Sequence, residues 1–320
     1  MSRLNLESWL DEHRRNEPVV LLGAAGFPGG EQTILASQPS EEIQLKAGDV
    51  DRLSAALQSH RGGSGAWMGY LTYEFGLPFV HEPGFALPTE PWPAGVLRYY
   101  PHFECVASEA VALPSGRDKP NLPLRADISD AVHGARIKAL RERLIAGDVY
   151  EANLTRRFLA PPVDPMGLFL DLAEHAPAPY AVFFETAFGG IVSNSPEGFL
   201  RLHPGGEVST FPIKGTRPRG QTDAQDAALR AELRADEKEL AEHLMVVDLL
   251  RNDLGGVCAP GTVTCGELFE VVSFPGVWHM VTRVSGRLRQ GLSRGELLAA
   301  TLPAGSITGA PKRAAVQQIH

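Results

Sequence analysis

Cysteine is scarce. The 320 residues hold three, Cys105, Cys258 and Cys265, and an odd, sparse set makes no disulfide framework. Cys258 and Cys265 lack the CxxC spacing of a zinc site, so all three read as buried or half-buried thiols of a reducing compartment. Long apolar runs are absent too. No run approaches the roughly 18 residues of a membrane span. The N-terminus, Met1-Ser2-Arg3-Leu4-Asn5-Leu6-Glu7, has neither an apolar signal core nor a small-residue cleavage site. The expected location is therefore the cytosol, with no membrane partner. Positive charge is in deficit: 30 Lys and Arg against 38 Asp and Glu give a net charge of −8. Without a basic stripe interleaved with aromatics, nucleic acid is excluded as a partner. A dianionic metabolite can bind only where a few cations or a metal are concentrated locally.

What is present is ordinary globular composition, 43% hydrophobic and 21% charged. The length suits more than one domain at roughly 100–200 residues each. Residues 4–15 and 50–59 read as helices, and Val19–Leu22, Ala66–Phe75 and Gly95–Val106 as strands. Gly23–Gly30 has the glycines of a phosphate loop but not its Lys and Ser/Thr, and reads as a turn. Residues 76–93 carry five prolines and predict an irregular stretch. Turn formers cluster without periodicity over 112–127, the best linker. These features divide the chain into an N-terminal domain, 1–126, and a second domain, 127–320. In the second, 129–146 predicts a helix with Ser129 as N-cap and Gly147 as stop, its apolar residues Val132, Ile137, Leu140, Leu144 and Ile145 spaced at one to five. Tyr150–Leu159 predicts a strand and Pro165–Glu174 a helix. Tyr180–Glu185, Gly190–Ser193 and Gly198–Leu202 predict strands, as do Ser209–Phe211 and the span Val271–Leu288. The charged stretch Asp223–Leu250 reads as one helix. Strands come as hairpins and helices in separate groups, which gives an α+β class.

Several residues carry chemistry. Phe211-Pro212-Ile213-Lys214-Gly215-Thr216-Arg217-Pro218-Arg219 has prolines that fix φ and a glycine that frees the backbone beside Lys214. Alone, such a lysine is a solvated surface residue; the local stiffness can also hold it at a set place near a sheet edge. Glu239 and Glu242, three apart on a helix, share one face. They form either a solvated acidic face or a pair that tolerates its repulsion around a hard cation such as Mg²⁺. Glu197 follows Ser195-Pro196, seventeen residues before Lys214, a spacing that fits adjacent strands facing one site. Gly305–Lys312 is a glycine-bounded loop before Pro311 at a helix start, suited to a cap or to an anion, and it is not a Walker A sequence. His279, in an apolar strand, reads on its own as a core histidine.

Read together, the motifs resemble a known family. Gly65–Glu74, Gly147–Thr155, Ser195-Pro196-Glu197, the Pro212–Thr216 lysine motif, Asp236–His243, Asp248–Leu254 and Pro303–Lys312 stand in the order found in chorismate-utilising enzymes. The lysine motif resembles the aminodeoxychorismate synthase component I branch; anthranilate synthases have alanine where this chain has Lys214. The resemblance implies the anthranilate synthase component I-like fold, layered antiparallel sheets flanked by helices. It implies amination of chorismate at C4, with ammonia from a partner glutamine amidotransferase subunit, toward p-aminobenzoate and folate. Lys214 would attack C2 and expel the C4 hydroxyl, which requires it to be neutral, through desolvation or a nearby cation such as Mg²⁺ or Arg217. Glu197 would protonate the leaving group. Glu242 and Glu239 would hold Mg²⁺, and Thr308, Gly309, His279, Gly215 and Thr216 would bind substrate. Glu151 departs from the glutamine or lysine of relatives, which argues against water addition at C2. Family members extend beyond the Pro303–Lys312 motif, so the sequence reads as C-terminally truncated, and the resemblance implies an inactive or poorly folded piece of an active parent. Anthranilate synthase component I, and a non-catalytic fragment that binds chorismate or the amidotransferase, remain as alternatives.

Overall fold

The structure, a computed structural model, describes residues 3–24, 31–60, 62–81, 92–274 and 276–319. Residues 25–30 of the glycine-rich loop and 82–91 of the proline-rich stretch lie outside the described residues. The chain divides into two compact units. One comprises Met1–Thr72, Glu90–Leu122 and Pro161–Gly198; the other comprises Tyr73–Thr89, Pro123–Ala160 and Phe199–His320. Residues 161–198, which the sequence reading grouped with the second domain, hydrogen-bond into the first unit's sheet.

The first unit contains β1 (Val19–Leu22), β2 (Gln32–Ala36), β3 (Glu41–Leu45), β4 (Ala66–Leu71), β5 (Gly95–Tyr100), β6 (Phe103–Ala107), β7 (Tyr180–Thr186) and β8 (Gly189–Ser195). They form two antiparallel sheets, ordered β8-β7-β1-β2-β6 and β3-β5-β4. The unbroken apolar run of β1 has a simple cause. Val20 and Leu22 pack with Leu6, Leu10, Phe169 and Leu170 of the flanking helices, while Val19 packs with Val96, Tyr100 and Phe184. Successive side chains point to opposite faces, and both faces are covered. Gly95–Val106 is not one strand. It breaks at Pro101, which has no N–H for a ladder, and β5 and β6 join different sheets. Arg98 of β5 is buried, with Nε 2.7 Å from Glu42 Oε2, Nη2 2.7 Å from Glu17 Oε1 and Nη1 donating to the Glu185 carbonyl at 2.6 Å. The stretch read as a linker is anchored. Arg117 pairs with Glu7 and Asp171, each at 2.6 Å, and Glu174 accepts the backbone N–H groups of Gly116 and Arg117.

The second unit contains β9 (Arg201–Leu202), β10 (Glu207–Thr210), β11 (Ile213–Pro218), β12 (Thr264–Cys265), β13 (Glu270–Phe274), β14 (Val277–Val281) and β15 (Val284–Arg287). Its antiparallel sheets run β9-β10-β15-β12 and β11-β14-β13. The stretch expected as one helix over 223–250 is two, Asp223–Ala235 and Glu237–Gly255. Asp236 divides them because it is extended (φ −74°, ψ 107°) and its carboxylate accepts the N–H groups of Lys238 and Glu239. The Glu237–Gly255 helix buries His243, Val246, Val247, Leu250 and Leu254, and Val247 and Leu254 pack with Val208 and Val284 of the four-stranded sheet. The Asp130–Ala146 helix has both expected caps: Ser129 accepts from the Val132 N–H, and Gly147 takes φ 81°. None of its residues is buried, and Val132, Ile137, Leu144 and Ile145 are exposed despite their spacing. Tyr150–Leu159 is not a continuous strand but two two-residue pieces, Glu151–Ala152 and Phe158–Leu159, paired with different segments.

The architecture is α+β. Among the described residues no helix is long and apolar enough to cross a membrane. The three cysteines are free; Cys258 is buried, whereas Cys105 is exposed on β6, contrary to expectation.

Candidate functional site

The lysine motif forms an edge strand rather than a turn. Within β11, Ile213 pairs with Val281 and Thr216 with His279, so Lys214 and Gly215 together stand opposite Met280. This is a β-bulge, which interrupts alternation and re-aims a side chain. Gly215 permits it by adopting φ 85°, where a β-carbon would lie 2.9 Å from Leu233 Cδ1 and 3.3 Å from Glu239 Oε2. Pro212 and Pro218 fit because an edge strand does not need every donor.

Lys214 Nζ lies 2.8 Å from Glu151 Oε1, with the two side chains 20% and 14% exposed. Glu151 is held by a short antiparallel ladder, Glu151–Ala152 against Gly309–Ala310. Tyr150 N–H donates to the Ala310 carbonyl at 2.7 Å and Asn153 N–H to the Thr308 carbonyl at 2.9 Å. Gly309 (φ 141°) allows this approach, since a β-carbon there would stand 2.1 Å from the Glu151 carbonyl oxygen. The second carboxylate oxygen, Glu151 Oε2, is buried without a hydrogen-bond partner among the described residues.

Two histidines flank the lysine strand. His279 Nδ1 is 2.9 Å from Thr216 Oγ1 and 3.4 Å from the Gly215 carbonyl, and its ring meets Phe274 edge-on. Burial holds it below the usual histidine range, opposed by the Gly215 carbonyl. His243 is fully buried, with Nε2 2.8 Å from Thr282 Oγ1. Burial pushes it down to about 4; the Lys214 backbone opposes this and the Lys214 charge adds to it.

The motif's arginines are structural. Arg217 was expected as a cation beside Lys214. Its guanidinium instead pairs with Glu232 at 2.7 Å, Asp236 at 2.6 Å and Glu239 at 3.4 Å, tying β11 to both helices. Arg219 pairs with Asp226 at 2.6 Å and lies 4.3 Å from the Trp278 ring. Asp226 is held well below the carboxylate range by Arg219 first, then by the Gly220 N–H and Trp278.

Glu239 thus lies beside Gly215 and Arg217, whereas Glu242 faces Lys238 at 3.4 Å along its own helix. The described residues contain no group of three or more His, Cys, Asp or Glu positioned to hold a metal. Two hard carboxylates on one helix face do suit Mg²⁺, which takes one or two carboxylates and completes its shell with water and substrate oxygens.

Two other expected site residues, Glu197 and Thr308, hydrogen-bond within their own segments. Glu197 belongs to the first unit, just after β8, where its N–H donates to Ser195 Oγ at 3.1 Å. The β9–β10 hairpin lies between it and β11 in sequence, so the two are not on adjacent strands. Thr308 is fully buried, its hydroxyl donating to the Ala304 and Gly305 carbonyls at 3.0 and 3.2 Å. A cavity of about 900 Å³ in the second unit is lined by residues including Tyr150, Leu249, Asp253 and Lys312. None of Lys214, Glu151 or His279 lines it.

The cluster therefore joins Lys214, Gly215, Thr216, His279, Glu239 and Gly309, and adds Glu151. Glu151 was visible in the sequence only as a departure from a motif; nothing in its spacing linked it to a lysine 63 residues later. A lysine amine facing a carboxylate, with an imidazole nearby, is a set of groups suited to covalent and proton-transfer chemistry.

Among proteins of known activity, the chain is 44% identical over 184 residues to aminodeoxychorismate synthase from Streptomyces pristinaespiralis, covering 57% of this chain and 26% of that protein. It is 42% identical over 196 residues to aminodeoxychorismate synthase component 1 from Klebsiella aerogenes, 61% of this chain and 43% of that protein. Anthranilate synthase component 1 from Spirochaeta aurantia matches at 40% over 191 residues, 59% and 39% respectively. The chain thus spans less than half the length of each of these relatives. The crystal structure of anthranilate synthase component I from Streptococcus pneumoniae superposes with a TM-score of 0.75 at 24% identity, covering 92% of this chain and 78% of that one. That likeness establishes the fold. The family described as chorismate binding enzyme matches residues 24–320, and the chain belongs to it.

Proposed function

We propose that the whole protein aminates chorismate at C4, giving 4-amino-4-deoxychorismate, a precursor of p-aminobenzoate and folate. The observation that carries this reading is Lys214, set in a glycine bulge of an edge strand, four-fifths buried and facing a carboxylate. Relatives named aminodeoxychorismate synthase, at 42–44% identity, support it. Lys214 attacks C2 while the C4 hydroxyl leaves, protonated by Glu197. Ammonia then forms a bond to C4 and the lysine departs from C2. Gly215, Thr216, His279, Thr308 and Gly309 border the substrate. Glu242 and Glu239 would hold Mg²⁺, which when bound supplies positive charge against the substrate carboxylates. A glutamine amidotransferase subunit supplies the ammonia, and the reaction belongs in the cytosol.

The test incubates the whole protein with chorismate, Mg²⁺ and an ammonium salt and separates the products by chromatography. The expected product is 4-amino-4-deoxychorismate, lost in Lys214→Ala. The relative named anthranilate synthase component 1 motivates the second reading. Anthranilate as product would establish that reading instead, and unchanged chorismate would contradict both.

A further inference from the structure

We propose that Glu151 is the base that accepts the proton of Lys214 and returns it when the cycle ends; this rests on Lys214 being the nucleophile. An alkylammonium must lose a proton before its nitrogen can attack carbon. Bulk water is a poor acceptor for a mostly buried amine. Glu151 Oε1, at 2.8 Å, is within direct transfer distance.

Three further observations support the assignment. The carboxylate is fixed, because its backbone is clamped by the Gly309–Ala310 ladder, where a β-carbon at Gly309 would stand 2.1 Å from the Glu151 carbonyl. It is poorly solvated: its side chain is 14% exposed and Oε2 is buried with no partner among the described residues. Finally, Arg217, the nearest motif cation, is committed to Glu232, Asp236 and Glu239.

The proton balance closes. The Lys214 ammonium gives a proton to Glu151, leaving a neutral amine and a neutral carboxyl. The amine electron pair forms the N–C2 bond, the ring double bonds shift, and the C4–O bond breaks with the oxygen leaving as water after taking a proton from the general acid. Ammonia then forms the C4–N bond, the double bonds shift back, the C2–N bond breaks to release the neutral lysine, and the new C4 ammonium returns one proton to the general acid. Glu151 returns its proton to that lysine.

The test follows covalent adduct formation at Lys214 in the whole protein, with chorismate and Mg²⁺ but no ammonia, by rapid quench and peptide mass spectrometry. Wild type is expected to form the adduct, and its failure to do so would overturn the functional reading together with this proposal. Glu151→Ala is expected to slow adduct formation by about 10²-fold or more, and added formate to restore part of the rate in proportion to its concentration. Glu151→Gln, which fills the space, is expected to be equally slow and unresponsive to formate. A wild-type rate in either variant, or a folded Glu151→Ala protein that formate does not rescue, would overturn the assignment while leaving Lys214 as nucleophile. If Glu151→Ala does not fold, the rate of Glu151→Gln decides.

Discussion

The Lys214 amine and the Glu151 carboxylate meet at 2.8 Å although 63 residues separate them in sequence. The bulge of β11 aims one, and a two-residue ladder with Gly309–Ala310 holds the other. Both belong to the same compact unit. The second unit thus presents an acid–base pair on rigid backbone, which is what positioned amine chemistry requires.

The bulge makes Gly215 irreplaceable. Gly215→Ala places a β-carbon at φ 85°, 2.9 Å from Leu233 Cδ1. Left-handed backbone costs a side-chain-bearing residue about 1–2 kcal/mol, and the crowding adds to it. The expected outcome is a loss of at least that size in urea unfolding, with a larger fractional loss of adduct formation at Lys214 because the lysine is re-aimed. A variant with native stability and native reactivity would show that the bulge is dispensable.

Asp236 caps the Glu237–Gly255 helix and also receives Arg217. Asp236→Ala removes two backbone hydrogen bonds and one arm of the arginine clamp. The urea midpoint is expected to fall without a change in m-value, since the surface exposed on unfolding stays the same. The far-ultraviolet circular dichroism before unfolding should remain helical.

Arg98 is the stability-critical charge of the first unit. Arg98→Met leaves the exposed Glu42 without its guanidinium and removes a donor to the Glu185 carbonyl. Leaving a buried acceptor without its donor costs about 1–3 kcal/mol, and chemical denaturation is expected to register a loss in that range. A loss below about 1 kcal/mol would mean that solvent reaches the pair.

Asp253 and Lys312, each 9% exposed, meet at 2.6 Å. Burial pushes Asp253 up to about 6 from 3.8, with the Lys312 charge pulling the other way. Between those values the folded state keeps a proton that the unfolded chain has lost. This contribution to stability is therefore present below pH 3.8 and disappears as pH rises through 6. Its size is about 3 kcal/mol. Asp253→Asn is expected to remove this downward slope between pH 4 and 6, and an unchanged slope would place the carboxyl in water.

Much of this was legible in the sequence, for physical reasons that differ by residue. Ser129 and Gly147 mark their helix because caps are local chemistry. The exposure of that helix was not legible: apolar spacing at Val132, Ile137 and Leu144 does not say whether anything packs on it, and the structure leaves these residues exposed. The helix break at Asp236 was hidden because an aspartate among many acidic residues has no periodicity to interrupt, although its capping geometry is unambiguous once seen. Lys214 was found by motif, but its aim depends on a register shift between β11 and β14, and register is tertiary. Glu151 required a ladder between segments more than 150 residues apart. Arg217 was misread because sequence shows its proximity to Lys214 but not the three carboxylates that hold it.

The most direct test of the central claim is the mass of the Lys214 peptide after chorismate and Mg²⁺ are mixed with the whole protein in the absence of ammonia. Lys214 acting as nucleophile requires an added mass equal to chorismate less one water on that peptide, absent in Lys214→Ala and discharged as 4-amino-4-deoxychorismate when ammonium is added. An unmodified Lys214 peptide during active turnover would contradict it.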